Sequence, residues 1–175
     1  MYYQTYSIHK DKFSNDVKEK LPEAYGDNRN LIPDETYVLV GYYKGEAHLN
    51  WIKKKGLYNT RMDSKRGSLQ LGPGESAARY LLLHTEGETK TGKLFKILKK
   101  GPKVYSRENL IKKGYPTEPS QPFYLVYEVD KSIEEEFHNR IWDITKLSGY
   151  KTGRGSVLPF STTLAELMKV AERNE

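Results

Sequence analysis

The order of its apolar runs is what most constrains this chain. Short β-branched or aromatic stretches, Thr36–Tyr42, Lys93–Leu98 and Phe123–Val129 among them, are interrupted irregularly by short helical segments. A doubly wound parallel sheet needs a crossover helix between successive strands, and that regular alternation is missing. The class that remains is α+β: a small curved or barrel-like mixed β-sheet with peripheral helices.

Local signals sharpen the outline. Glu46–Lys55 reads as a helix, with Leu49 and Ile52 on one face, lysines in the last turn and Gly56 as terminator. Ser106 is placed to cap a second helix through Lys113, ended by Gly114. Residues 14–21 and the Ser132/Glu135 capping box predict two more short helices. Near the end, Thr163 and Glu166 form another capping box, and Leu164, Leu167, Met168 and Ala171 fall on one stripe. That pattern predicts a C-terminal amphipathic helix over 163–173. Tyr2–Ile8, Leu57–Met62 and Arg140–Ile144 look extended, Gly72-Pro-Gly74 reads as a turn, and Ala77–His84 fits a strand or a buried helix equally.

No linker, repeat or low-complexity tract divides the 175 residues, so a single domain over 1–175 is expected. At this length a fold hides roughly 70% of the surface its unfolded chain exposes, enough for a real core. The chain holds no cysteine, which excludes disulfides, thiolate catalysis and cysteine-ligated metal centres. The opening Met1-Tyr-Tyr-Gln-Thr-Tyr lacks a basic segment before an apolar one, and no apolar stretch nears the ~20 residues a bilayer requires. A cytoplasmic protein without membrane contact is the expectation.

The net charge of +6 is unevenly spread. Residues 44–66 carry seven Lys or Arg against Glu46 and Asp63, and residues 90–113 carry nine against Glu108 alone. These segments together hold +13, which leaves −7 for the rest of the chain. A field polarised in this way attracts polyanions such as DNA or RNA. Tyrosine supplies much of the apolar volume, 14 residues against 5 Phe, and a ring with a hydroxyl suits a half-wet wall as well as the rim of a core.

Catalytic patterns are weak by comparison. Gly87-Glu-Thr-Lys-Thr-Gly92-Lys93 has the spacing of a phosphate loop, but Leu94 stands where Ser or Thr must hold magnesium. The residues that follow look like a strand, so a basic hairpin is the reading. Asp34 with Asp63-Ser64-Lys65 has the form of a magnesium-dependent restriction-type nuclease site, in which acids hold the metal and Lys orients water. Asp16-Val17-Lys18 and Glu88-Thr89-Lys90 match acid-x-Lys equally well, so the pattern selects nothing. His9, His48, His84 and His138 are unpaired at helical spacing and read as structural. No metal site and no cofactor is expected.

Recognition chemistry is denser. Trp51, Tyr58, Asn59, Arg61, Lys65, Arg66 and Ser68 lie within eighteen residues. Rings stack on bases, Asn pairs with a base edge, and Arg and Lys hold phosphates. Phosphates are expected along Lys53, Lys54, Lys55, Lys65 and Arg66 and along Lys99, Lys100 and Lys103. A base is expected against Trp51, Tyr58 and Asn59. A second Arg-Gly-Ser, at Arg154–Ser156, falls near Trp142 in sequence. A base pocket of this kind fails if both tryptophans are core residues, whereas a phosphate surface survives. An accessory module that binds a protein partner is the third reading.

The stretch Trp51…Gly56-Leu57-Tyr58-Asn59-Thr60-Arg61 resembles the Trp, Gly-Val-x-Asn and Arg run of EVE-type domains, in the PUA-like superfamily. Tyr80–Leu83, Gly92–Ile97 and Tyr124–Val129 look like that family's successive barrel strands, and Tyr115-Pro116 sits where it often has a Tyr-Pro pair. The resemblance covers residues 38–145. Trp51 lacks the Asp-Gly that follows it in the family, and a Tyr-Ser-x-x-x-Leu element stands at Tyr105–Leu110 instead of near the start. The resemblance implies a small β-barrel with peripheral helices, non-catalytic, holding nucleic acid and in some members a modified base in an aromatic-lined pocket.

Overall fold

The computed structural model describes residues 6–9, 36–61, 68–99, 101–131, 140–150 and 159–173. The first elements are β1 (Tyr6–His9), β2 (Tyr37–Tyr42), α1 (Glu46–Lys55), β3 (Leu57–Arg61), β4 (Ser68–Leu71) and the short α2 (Pro73–Ser76). Then come β5 (Ala78–His84), β6 (Lys90–Thr91), β7 (Lys93–Lys96), β8 (Lys103–Ser106), α3 (Arg107–Lys112) and β9 (Phe123–Glu128). Last are β10 (Arg140–Asp143), a 3-10 turn (Ile144–Lys146), β11 (Phe160–Thr163), α4 (Leu164–Lys169) and β12 (Ala171–Arg173).

The fold is α+β with a mixed sheet. Its centre has the order β11-β2-β5-β7, in which β2 runs parallel to β5 and the other two pairs are antiparallel. A second sheet, β3-β9-β8, is antiparallel throughout. The two meet where Ile97 bridges Val129 and where the Leu98 N–H donates to the Glu128 carbonyl at 2.8 Å. Among the described residues the strands do not close on themselves, so the expected barrel is an open arrangement of linked sheets.

The two-residue period of the strands sorts the core. Leu39, Leu81, Leu83 and Phe95 pack into one cluster with Leu49, Trp51, Ile52 and Tyr58. Their alternate neighbours Val38, Val40, Leu82 and Leu94 pack into the other, with Trp142, Ile144, Leu147 and Leu167. A central strand buried on both faces reads as a continuous apolar run, which explains Val38-Leu-Val40 and resolves Ala78–His84 as a strand.

Helix ends follow the sequence closely, with one exception. Gly56 sits at φ 67° and its N–H donates to Ile52 at 2.8 Å, closing α1. Ser106 accepts from the Asn109 N–H at 3.2 Å, and Thr163 accepts from the Glu166 N–H at 3.1 Å. The C-terminal helix, however, occupies only Leu164–Lys169. Val170 ends it, and Ala171–Arg173 pair with β10 instead, where Glu172 meets Lys90 at 3.1 Å and Lys146 at 3.7 Å. Strand pairing and these two lysines win over the helical stripe that Ala171 would have completed. Thr85–Gly92 is the connection between the antiparallel β5 and β7, as a hairpin reading of the Gly87–Lys93 segment requires. The helices expected at 14–21 and from Ser132 lie outside the described residues.

Candidate functional site

A cavity of about 340 Å³ opens where β2 hands over to α1, beside β3 and β9. Its lining combines Tyr42, Lys44 and His48 with Tyr58, Asn59, Thr60 and Arg61, and is completed by Tyr115, Ser120, Tyr124 and Pro159. The left-handed stop at Gly56 lets the chain turn straight from α1 into β3, so that His48 on the helix comes over Asn59 on the strand. A smaller cavity of about 190 Å³ at the start of α1 shares Lys44, His48 and Tyr115 with it.

One hydrogen-bond chain runs through the shared wall, and its direction is fixed by a backbone group. The Lys44 N–H donates to His48 Nδ1 at 3.0 Å. A neutral imidazole that accepts at Nδ1 carries its proton on Nε2. His48 Nε2 therefore donates to Asn59 Oδ1 at 2.9 Å, which sets the amide so that Nδ2 donates to the Tyr115 hydroxyl at 3.3 Å. Burial lowers the His48 pKa below the usual imidazole value; the Asn59 bond opposes this in part and the Lys44 charge adds to it. The neutral form that the chain needs is thus the favoured one.

The rings are held rigidly. Tyr115 meets Trp51 edge-on at 5.0 Å and His48 edge-on at 5.5 Å, while Lys44 Nζ stands 5.9 Å from the centre of the Tyr115 ring. Tyr58 donates its hydroxyl to the Tyr42 carbonyl at 2.9 Å, and burial raises its pKa well above the ordinary phenol value. Tyr124 accepts from the Gln121 N–H at 2.8 Å. The cations at the cavity are Lys44 and Arg61, both exposed.

The residues expected from sequence divide sharply. Tyr58, Asn59 and Arg61 come together in the lining. Trp51 does not: it is 5% exposed, packs in the core behind His48 and Tyr115, and donates Nε1 to the Lys113 carbonyl at 3.0 Å. Trp142 is fully buried in the second core cluster. A base pocket faced by these tryptophans therefore falls, since both rings are spent on packing. The cavity that exists is walled by tyrosines and His48 instead.

The lysine run keeps its expected place in the last turn of the helix and does not line the cavity. Lys53, Lys54 and Lys55 occupy the last turn of α1, while Lys44 precedes its first; at 1.5 Å rise per residue the two ends are roughly 15 Å apart. The end of α3 comes near the lysine run, since Gly114 lies against the Lys55 side chain and Trp51 bonds the Lys113 carbonyl, and Lys131 packs beside Gly56. Lys99 and Lys103 reach Glu128 at 3.4 and 3.8 Å, so one carboxylate offsets part of that edge. Ser68 opens β4, paired with His9. Lys65, Arg66, Lys100 and Arg154 lie outside the described residues, as do Asp34 and Asp63 of the nuclease pattern. Among the described residues no group of three or more His, Asp or Glu is placed to hold a metal ion. Nor is any described helix long and apolar enough to cross a membrane.

Sequence reasoning missed His48 and Lys44, and took Tyr115 only as half of a Tyr-Pro pair. One signal was present: His48, Trp51 and Ile52 fall at i, i+3 and i+4, which puts the histidine on the buried face of α1. Comparison with family models, with curated proteins and with solved structures finds no match.

Proposed function

We propose that this chain is a non-catalytic nucleic-acid-binding domain that takes one unstacked base into the cavity between α1, β3 and β9. The observation that carries the reading is a pocket of about 340 Å³ walled by tyrosine rings, crossed by an oriented Asn59 amide and flanked by two cations. That volume lies at the small end of the roughly 300–1,000 Å³ typical of small-molecule sites, a scale suited to one base and not to an extended ligand. Rings give stacking surface, the fixed amide keeps one Nδ2 proton to donate, and Lys44 and Arg61 would meet the adjoining phosphates. The EVE-type resemblance drew its pocket from Trp51 and Gly56–Arg61, and placed Tyr115-Pro116 in a connection. Tyr58, Asn59, Arg61 and Tyr115 all line the cavity, which supports that family reading as a proposal while Trp51 departs from it. The nuclease alternative rests on residues outside the described ones.

Titration with fluorescent single-stranded DNA and RNA at low salt is the test. Binding is expected to weaken steeply as salt rises, because counterions are released from each phosphate engaged. Ser120 is exposed at the cavity, so Ser120→Trp should fill the mouth without disturbing the core. A loss of roughly tenfold is expected from one displaced stacked base. No binding of either nucleic acid, or binding indifferent to Ser120→Trp, would remove the proposal.

A further inference from the structure

Resting on that base-pocket reading, we infer that the cavity selects bases bearing an exocyclic oxygen (6-oxopurines and 4-oxopyrimidines) over their amino counterparts. The direction of the hydrogen-bond chain decides this. It begins at the Lys44 N–H, which can only donate, and each later group is forced in turn: His48 donates, Asn59 Oδ1 accepts, Asn59 Nδ2 donates. The Tyr115 hydroxyl stands last and accepts from Asn59, so its own proton is the one the chain delivers onward. Turning the amide round would set Asn59 Nδ2 against the Nε2 proton of His48, two donors face to face.

The charged groups of the lining agree with that polarity. Lys44 and Arg61 are donors under any condition of interest, and no carboxylate lines the cavity among the described residues. Tyr124 accepts from the backbone of Gln121 and so keeps its proton to donate, while Tyr58, whose proton is spent on the Tyr42 carbonyl, is 2% exposed with its hydroxyl packed against Gly41. An exocyclic oxygen brought to this wall meets a hydroxyl proton and an amide donor 3.3 Å apart. An exocyclic amino group brought there meets the same donors with its own, and one of the two sides is left unpaired. Specificity of this kind is built against the wrong ligand as much as for the right one.

The experiment uses short single-stranded oligonucleotides identical except at one central position, carrying inosine or adenosine there, and uridine or cytidine. Inosine and uridine are expected to bind roughly tenfold more tightly than their amino partners, equivalent to about 1.4 kcal/mol. Tyr115→Phe keeps the ring and its contact with Trp51 but removes the proton. It should abolish the preference, bringing the inosine and uridine affinities down to those of their amino partners measured on the same variant. Equal affinities for all four, with binding still sensitive to Ser120→Trp, would overturn the oxygen preference and leave the base pocket standing. A preference for the amino bases, or one that survives Tyr115→Phe, would overturn it as well. If none of the four binds through the pocket, the base reading fails and takes this inference with it.

Discussion

Replacing Gly41 with alanine probes how the core builds one wall of the pocket. A Cβ added at Gly41 would stand 2.3 Å from the Tyr58 hydroxyl oxygen, 2.7 Å from Cζ and 3.0 Å from Cε2. The ring has nowhere to go, since Tyr58 is 2% exposed and its hydroxyl is tied to Tyr42. Gly41 itself is fixed in a central strand, in register with Leu83. Forcing extra atoms into a packed core costs about 1–3 kcal/mol, and a displaced hydroxyl forfeits a bond worth about 1 kcal/mol. Against this, alanine recovers about 0.5–1 kcal/mol that glycine costs within a strand. A net loss of about 2 kcal/mol is expected, read as a lower urea midpoint at unchanged slope in a fluorescence-monitored melt. Tyr58→Phe removes the closest clashing atom, so the double substitution should be less destabilised than the sum of the two. Gly41→Ala within about 0.5 kcal/mol of the wild type, or strict additivity, would refute this packing.

Trp51→Ala should cost about 3–5 kcal/mol of stability as a large core truncation, whereas Arg61→Ala, exposed at the end of β3, should stay within about 0.5 kcal/mol and weaken nucleic-acid binding. Urea melts and binding titrations on the two variants separate a core role from a rim role, and the opposite pattern would return Trp51 to the surface. Acid should destabilise the fold through its buried histidines. Burial lowers the pKa of both His48 and His84 beneath 6.5, so their contribution is complete above that pH and is lost as pH falls through the folded-state values. Glu75, whose pKa burial raises, acts in the opposite sense at lower pH. Urea midpoints measured against pH should therefore fall less steeply below 6.5 in His48→Gln than in the wild type, and identical slopes would contradict the assignment.

Much of the scaffold was legible because its signals are local. Glu46–Lys55, Gly56 and the Ser106 and Thr163 caps follow from residues within one turn of each other, and the structure keeps them. The length of the last helix was not legible. Its continuation depended on β10, thirty residues earlier in the chain, competing for Ala171–Arg173. The pocket divides the same way. Tyr58, Asn59 and Arg61 stand out as a short polar and aromatic run, and they do line the cavity. What the run cannot reveal is the partner of each side chain. Asn59 is oriented by His48 eleven residues before it and by Tyr115 fifty-six residues after it. Trp51 stands close in sequence to Tyr58, Asn59 and Arg61, yet its spacing from His48 and Ile52 puts it on the apolar face.

The most direct measurement follows the Asn59 side-chain amide in 15N-labelled protein while a single-stranded oligonucleotide is added. A base entering the pocket must change the environment of that amide, which is buried and bonded on both sides. The account predicts saturable shifts of both amide protons, abolished by Ser120→Trp. An oligonucleotide that binds and moves only the resonances of Lys53–Lys55, leaving Asn59 unmoved, would contradict it.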